Sequence, residues 1–160
     1  MASIGNVHTV LIDKLNGLEY YRQSPPKSLD NSFGSNEVYA LIRSFGLTHN
    51  DSLRTYVEHI LVQIKNAILI NRQVAGKNSK LLVTGGGAFN SFLLTRLKEE
   101  LQSINIEVVV ADGQIIKYKE ALIMGFIGVL RWRQEYTVLP SVTGGKRSSI
   151  GGTVWIGQEA

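Results

Sequence analysis

Three consecutive glycines, Gly85, Gly86 and Gly87, separate a short apolar run from an amphipathic segment in the stretch KLLVTGGGAFNSFLLTRLKEEL, residues 80–101. Leu81 to Thr84 read as a buried strand. Phe92, Leu93, Leu94, Leu97 and Leu101 recur at helical spacing. Strand, glycine turn and helix in that order is how α/β proteins bring bare backbone up to a nucleotide. Without a Cβ, glycine takes positive φ and lets a flat ligand lie against the chain. Asn90 stands where its side-chain oxygen can cap the helix. The same pattern also serves as a tight βα connection with no ligand, because no phosphate-loop lysine or second glycine spacing accompanies it.

A second carboxylate-bearing turn follows. Residues 106–111, IEVVVA, are rich in β-branched residues and predict another strand. A helix between two strands is a βαβ crossover, so the strands should be parallel neighbours. Asp112-Gly113 then ends the second strand on the edge that carries the glycine turn, where open α/β sheets bind ligands. Asp112 and Gly85–Gly87 would share one crevice; Asp-Gly is equally an ordinary turn. Glu120 opens an apolar helix expected over 117–133, where it either complements the helix N-terminus or reaches into the crevice. Lys27 and Ser28 follow Pro25-Pro26 in a polar loop, residues 22–35. That loop is either a flexible linker or a fixed presenter of those two side chains. His8, His49 and His59 share no metal-binding spacing and read as surface or locally hydrogen-bonded residues. No Asp-Gly-Thr phosphate hairpin, Ser-His-Asp set or glycosidase carboxylate pair is present. What is here resembles one half of a site, a base-and-ribose shelf without its phosphate clamp.

The elements that must position these residues follow from periodicity. A first helix is expected over 6–15, stopped by Asn16-Gly17. A second runs from Ser35-Asn36 to Phe45, its core face Val38, Leu41, Ile42 and Phe45. A third opens at Thr48 with capping-box spacing to Asp51 and runs to about Val74. Its stripe of Leu53, Val57, Ile60, Leu61, Ile64, Ile68 and Leu69 is suited to lie across a sheet. Residues 75–79 turn back into the first strand. The 117–133 helix is apolar through its middle and is expected to be deeply buried, with Gly125 and Gly128 admitting another backbone. Leu139 to Gly145 read as a second glycine-bearing loop, and 150–156 as a closing strand or helix end.

Composition narrows the class. The 160 residues are 44% hydrophobic and 19% charged, which excludes disordered and fibrous chains and fits a single domain. With no cysteine there is no disulfide scaffold, thiolate metal site or thiol nucleophile. The net charge of +4 tolerates an anionic ligand. The basic residues are scattered and do not alternate with aromatics, which argues against a nucleic-acid partner. No apolar run is long enough to span a bilayer, and no secretion segment opens the chain. A cytoplasmic protein is expected.

Taken together, LLVTGGGAFNSFLLTRLKEEL, then KEALIMGF, then LPSVTGG, with PPKSL after LIDKLNGLEYY, resemble the C-terminal half of the anhydro-N-acetylmuramic acid kinase family. The resemblance covers nearly the whole chain from about Val10. It implies an α/β fold with a central mixed sheet flanked by helices. That is the second domain of the actin-like (ribonuclease H-like) ATPase fold shared by acetate and sugar kinases and heat-shock chaperones. It implies an enzyme that uses ATP and water to open 1,6-anhydro-N-acetylmuramic acid and yield the 6-phosphate in cell-wall recycling. Gly85, Gly86, Gly87 and Asn90 would match the adenosine motif, and Glu120 a glutamate facing the sugar. The general base, the first phosphate loop and most Mg2+ contacts would belong to an N-terminal half, leaving this chain inactive alone. Two departures stand out: Leu29-Asp30-Asn31 replaces the family's Gly-Arg-Glu, and Thr143-Gly144-Gly145 its Thr-Gly-Ala. A non-catalytic binding or homodimerisation module, or a kinase of another sugar, are the alternatives.

Overall fold

The computed structural model describes residues 1–24, 27–30, 32–71, 79–155 and 157. These are mostly helical, with one small parallel sheet. They form two compact units, one of Met1–Gln23 with Leu29–Ile116, the other of Ser24–Ser28 with Lys117–Ala160.

The first unit is organised on a 22-residue helix, α4 (His49–Ile70). Thr48 caps it as expected: its Oγ1 accepts the Asp51 N–H at 3.2 Å and donates to Asp51 Oδ2 at 2.7 Å. The other Asp51 oxygen takes the N–H of Asn6 at 2.6 Å, which holds the carboxyl below the usual range. The leading segment is thereby laid along α4, and the His8 N–H donates to Thr55 Oγ1 at 3.0 Å. A Cβ on Gly5 would fall 2.1 Å from the Asn50 carbonyl oxygen, so this approach requires glycine. His8 then caps α1 (Thr9–Asn16), its Nδ1 accepting the Leu11 N–H at 3.2 Å.

One apolar cluster gathers Leu11, Leu15, Phe33 and Val38, with Leu41, Ile42 and Phe45 packed against them. The expected core face of the second helix is therefore correct, but its start is not. The chain enters α2 (Glu19–Arg22), and later a π-helical turn (Phe33–Val38) leads into α3 (Tyr39–Ser44). Buried Phe33 anchors that entry, so the polar loop expected over 22–35 gives way to packed structure at its far end, while Arg22, Gln23 and Ser24 at its start are exposed. Pro25, Pro26 and the expected end of α4 at Val74 lie outside the described residues.

The second cluster joins Val57 and Leu61 of α4 to Leu97 and Leu101 of α5 (Ser91–Gln102). Leu81 and Val83 of β1 (Lys80–Val83) and Val108 of β2 (Glu107–Val110) pack on it. Val57, Leu61, Ile64 and Ile68 of the expected α4 stripe thus share a cluster with the sheet, whereas Leu53 and Leu69 at its ends are exposed. The strands are parallel, with Lys80 paired to Glu107 and Val83 to Val110. The expected central mixed sheet is not what the described residues form: the sheet has two strands, both parallel. Nor is β1 buried on both faces, for Leu82, on the face opposite the cluster, is 61% exposed.

In the second unit, α6 (Gly113–Trp132) contributes all but its first turn. It is not deeply buried. Leu122 is 69% and Phe126 61% exposed, and no α6 residue is fully buried. The close approach of another backbone expected at Gly125 and Gly128 is not made by the described residues, since a Cβ on either meets nothing within 4 Å. Beyond α6, Val138 and Ser149 form an isolated antiparallel bridge, and the Arg131 Nε–H donates to the Gly152 carbonyl at 3.0 Å. The loop expected at Leu139 instead contains a helical turn, α7 (Pro140–Thr143), which proline initiates and left-handed Gly144 ends. Residues 150–155 form neither strand nor helix, and Ile156 lies outside the described residues.

Candidate functional site

Parallel pairing fixes where the glycine turn and Asp112 stand. Val83 and Val110 are register partners at the strand ends, and the Ala111 N–H donates to the Val83 carbonyl at 3.0 Å. The chain leaves β1 through Thr84 into Gly85, and leaves β2 through Ala111 into Asp112. The two turns therefore rise from adjacent carboxyl ends of the same sheet, as the crossover predicts.

Gly85 adopts φ 82° and ψ 179°, a region essentially confined to glycine. The chain then forms a single 3₁₀ turn (Gly86–Phe89), closed by Ala88 N–H to Gly85 O and Asn90 N–H to Gly87 O, both 3.0 Å. Gly86 and Gly87 are exposed, and a Cβ on either meets nothing within 4 Å. Bare backbone thus faces open space at the strand tip, while buried Ala88 anchors the turn from below. Asn90 caps α5, its Oδ1 accepting the Leu93 N–H at 3.1 Å. Its oxygen is engaged in holding the helix.

The helix that follows the turn is tied to α4. Arg96 of α5 grips Glu58 of α4 through two bonds, Nε to Oε1 at 2.9 Å and Nη2 to Oε2 at 3.1 Å. Arg54 meets the same carboxylate at 3.2 Å and lies over the Phe92 ring, 5.1 Å from its centroid. Hydrogen bonding to Glu58 raises the Arg96 pKa further still, so its guanidinium stays charged at any working pH.

Asp112 is exposed, and its Oδ1 accepts the Gln114 N–H at 2.8 Å. That bond starts α6 at Gly113, four residues earlier than expected. Glu120 consequently lies well inside the helix, and the reading in which it complements the helix N-terminus fails. It is exposed, in the second unit, as are Lys27 and Ser28. The first unit thus brings Gly85–Gly87, Asn90 and Asp112 to one sheet edge.

Two further groups at the strand tip escape a reading of sequence alone. Thr84 Oγ1 is buried and finds no hydrogen-bond partner among the described residues. Phe89 leaves its ring in solvent. An aromatic inside a glycine-rich turn was the available signal for the second; nothing marked the first. No group of three histidine or acidic side chains suited to a metal ion occurs among the described residues.

A parallel βαβ unit whose carboxyl edge carries a glycine turn places the first unit in the α/β class. Comparison with known proteins is more specific. The family described as anhydro-N-acetylmuramic acid kinase matches residues 1–157, and the chain belongs to that family. The anhydro-N-acetylmuramic acid kinase of Haemophilus influenzae is 30% identical over 166 residues, covering 96% of this chain and 43% of that protein. The protein of the same name from Vibrio vulnificus is 29% identical, covering 92% and 40%. That of Synechococcus elongatus is 30% identical, covering 96% and 41%. The chain spans about two-fifths of the length of these curated relatives.

Proposed function

We propose that this chain is the nucleotide-binding, C-terminal half of an ATP-dependent kinase of 1,6-anhydro-N-acetylmuramic acid, with the actin-like ATPase fold in the complete protein. The whole enzyme would add water across the anhydro bridge and transfer the γ-phosphoryl group of ATP to the sugar, giving the 6-phosphate for cell-wall recycling in the cytoplasm. Gly85, Gly86 and Gly87 would form the adenosine shelf, with Asn90 setting the direction of α5 and Asp112 offering a carboxylate to ribose hydroxyls. Glu120, with Lys27 and Ser28, would serve the sugar end. Mg2+, the phosphate loops and the general base would be supplied mainly by the rest of the complete protein.

The observation that carries this reading is open space above Gly86 and Gly87 at a strand tip in a chain of this family. It predicts weak ADP binding and no phosphoryl transfer by the 160 residues alone. Isothermal titration with ADP checks the first, and an assay of ATP with the anhydrosugar, run on the 160 residues beside the complete protein, checks the second. A complete protein that binds ADP but leaves the anhydrosugar intact would sink the substrate and leave the shelf standing.

A second reading, a non-catalytic homodimerisation module, is favoured by the exposed apolar face of α6. A stable dimer by light scattering that ignores ATP and ADP would select it.

A further inference from the structure

We propose that Phe89 is the stacking platform for the base of the bound nucleotide. The inference rests on the nucleotide-binding reading above and adds to it the side chain that recognises the base. Phe89 is 60% exposed, belongs to neither apolar cluster, and makes no ring contact among the described residues. A single exposed aromatic ring is unremarkable by itself. Its setting is what matters.

In a 3₁₀ turn, residues three apart eclipse one another, so Phe89 stands over the same face as Gly86. There a Cβ would meet nothing within 4 Å. The face therefore offers bare main chain at one level and an aromatic ring at the next. Both neighbours of Phe89 are otherwise committed, Ala88 to the interior and Asn90 to the α5 cap. Backbone bonds on either side, Ala88 N–H to Gly85 O and Asn90 N–H to Gly87 O, fix the turn. The ring is thus presented by an ordered segment at the strand tip, and ordering costs little when a ligand arrives. A flat heteroaromatic base gains from stacking on such a ring, and removing an aromatic platform weakens binding by roughly tenfold or more. The phosphates gain nothing from it.

This asymmetry supplies the test. ADP and adenosine are titrated against the wild-type chain, Phe89→Ala and Phe89→Trp, each first shown by circular dichroism to keep its helix content. Phe89→Ala is expected to weaken both by the same factor, about tenfold or more. Phe89→Trp is expected to retain ADP and to show quenched indole emission as the base stacks. If the wild-type chain binds ADP and Phe89→Ala binds it equally well, the stacking role is overturned and the shelf survives. If the wild-type chain binds no ADP, both the shelf and the platform fall. If Phe89→Ala instead abolishes self-association while keeping ADP affinity, the ring is a protein contact and the inference is wrong.

Discussion

The two longest helices, α4 and α6, differ in a way that composition does not foretell. Both are about twenty residues of mixed Leu, Ile and Val. On α4, Val57, Leu61, Ile64 and Ile68 are covered by two elements of the same unit, α5 and the sheet, and the Arg54–Glu58 pair beside them meets Arg96 of α5. On α6 the middle is apolar nearly all round, and Leu122, Met124, Phe126 and Val129 are exposed. A helix apolar on every side is ordinarily enclosed, yet enclosure depends on a partner as well as on pattern. Burial is a property of the pair, and one helix's sequence states only half of it.

The sharpest way to break this contrast is to shorten one leucine on α4. Leu61 is almost wholly buried between α4, α5 and the sheet. Leu61→Ala should cost about 2–5 kcal/mol through lost burial and the cavity left behind, read as a lower urea midpoint. A loss below about 1 kcal/mol would mean that this interface is as loosely filled as the α6 face.

Acid should act next on the α4 side. His59 is 1% exposed, with Nδ1 2.7 Å from Asn16 Oδ1 and Nε2 3.0 Å from the Tyr21 hydroxyl. Asn16 Oδ1 also accepts Gln63 Nε2–H at 2.7 Å. Those partners suit a neutral ring that donates from Nδ1 and accepts at Nε2. Burial pushes its pKa down to about 4. Between about 6.5 and about 4 the unfolded chain therefore binds a proton that the folded chain refuses. Stability should fall as pH drops through that window, by on the order of 3 kcal/mol in all. The lowered Asp51 carboxyl acts in the same direction only below its ordinary pKa of 3.8. Urea midpoints that stay level from pH 7 to pH 4.5 would contradict the buried neutral ring.

The glycine turn lets the comparison be made within three residues. Gly85 has positive φ, and Gly85→Ala should cost roughly 1–3 kcal/mol in backbone strain. Gly86 has room for a methyl group, so Gly86→Ala should leave stability nearly unchanged while obstructing the shelf. Thermal melts with and without ADP separate the two: Gly85→Ala melts lower in both, whereas Gly86→Ala differs from wild type only with ADP present.

The parts legible in the sequence were those in which a residue's role is set by its near neighbours. Thr48 and Asn90 cap because a short polar side chain reaches an N–H three residues on. The two strands and the helix between them followed from a change of period, and the shared edge of Gly85–Gly87 and Asp112 followed from their parallel pairing. What escaped depends on distant partners. Phe33 is buried with Leu11 and Leu15 of α1 and against the rings of Tyr20 and Tyr21 of α2, so a stretch that is polar in sequence turns into a packed entry. His59 reads as a surface or locally hydrogen-bonded residue until Asn16 and Tyr21 close on it from more than thirty residues away. Glu120 changed meaning because Asp112 starts its helix one turn early. Burial of α6 was inferred from apolar content alone.

The smallest expected effect is on α6, and it tests the contrast from the other side. Leu122 loses little water contact on folding, so Leu122→Gln removes almost no buried area. Glutamine is nearly as good a helix former as leucine. The change should therefore shift stability by no more than about 0.5 kcal/mol, against several for Leu61. Sedimentation velocity adds what a melt cannot. If the exposed face holds copies together, Leu122→Gln should lower the association constant while the melt stays put. A monomer that nonetheless loses 2 kcal/mol or more would show that Leu122 is covered within the chain, and the opposition between the two helices would vanish.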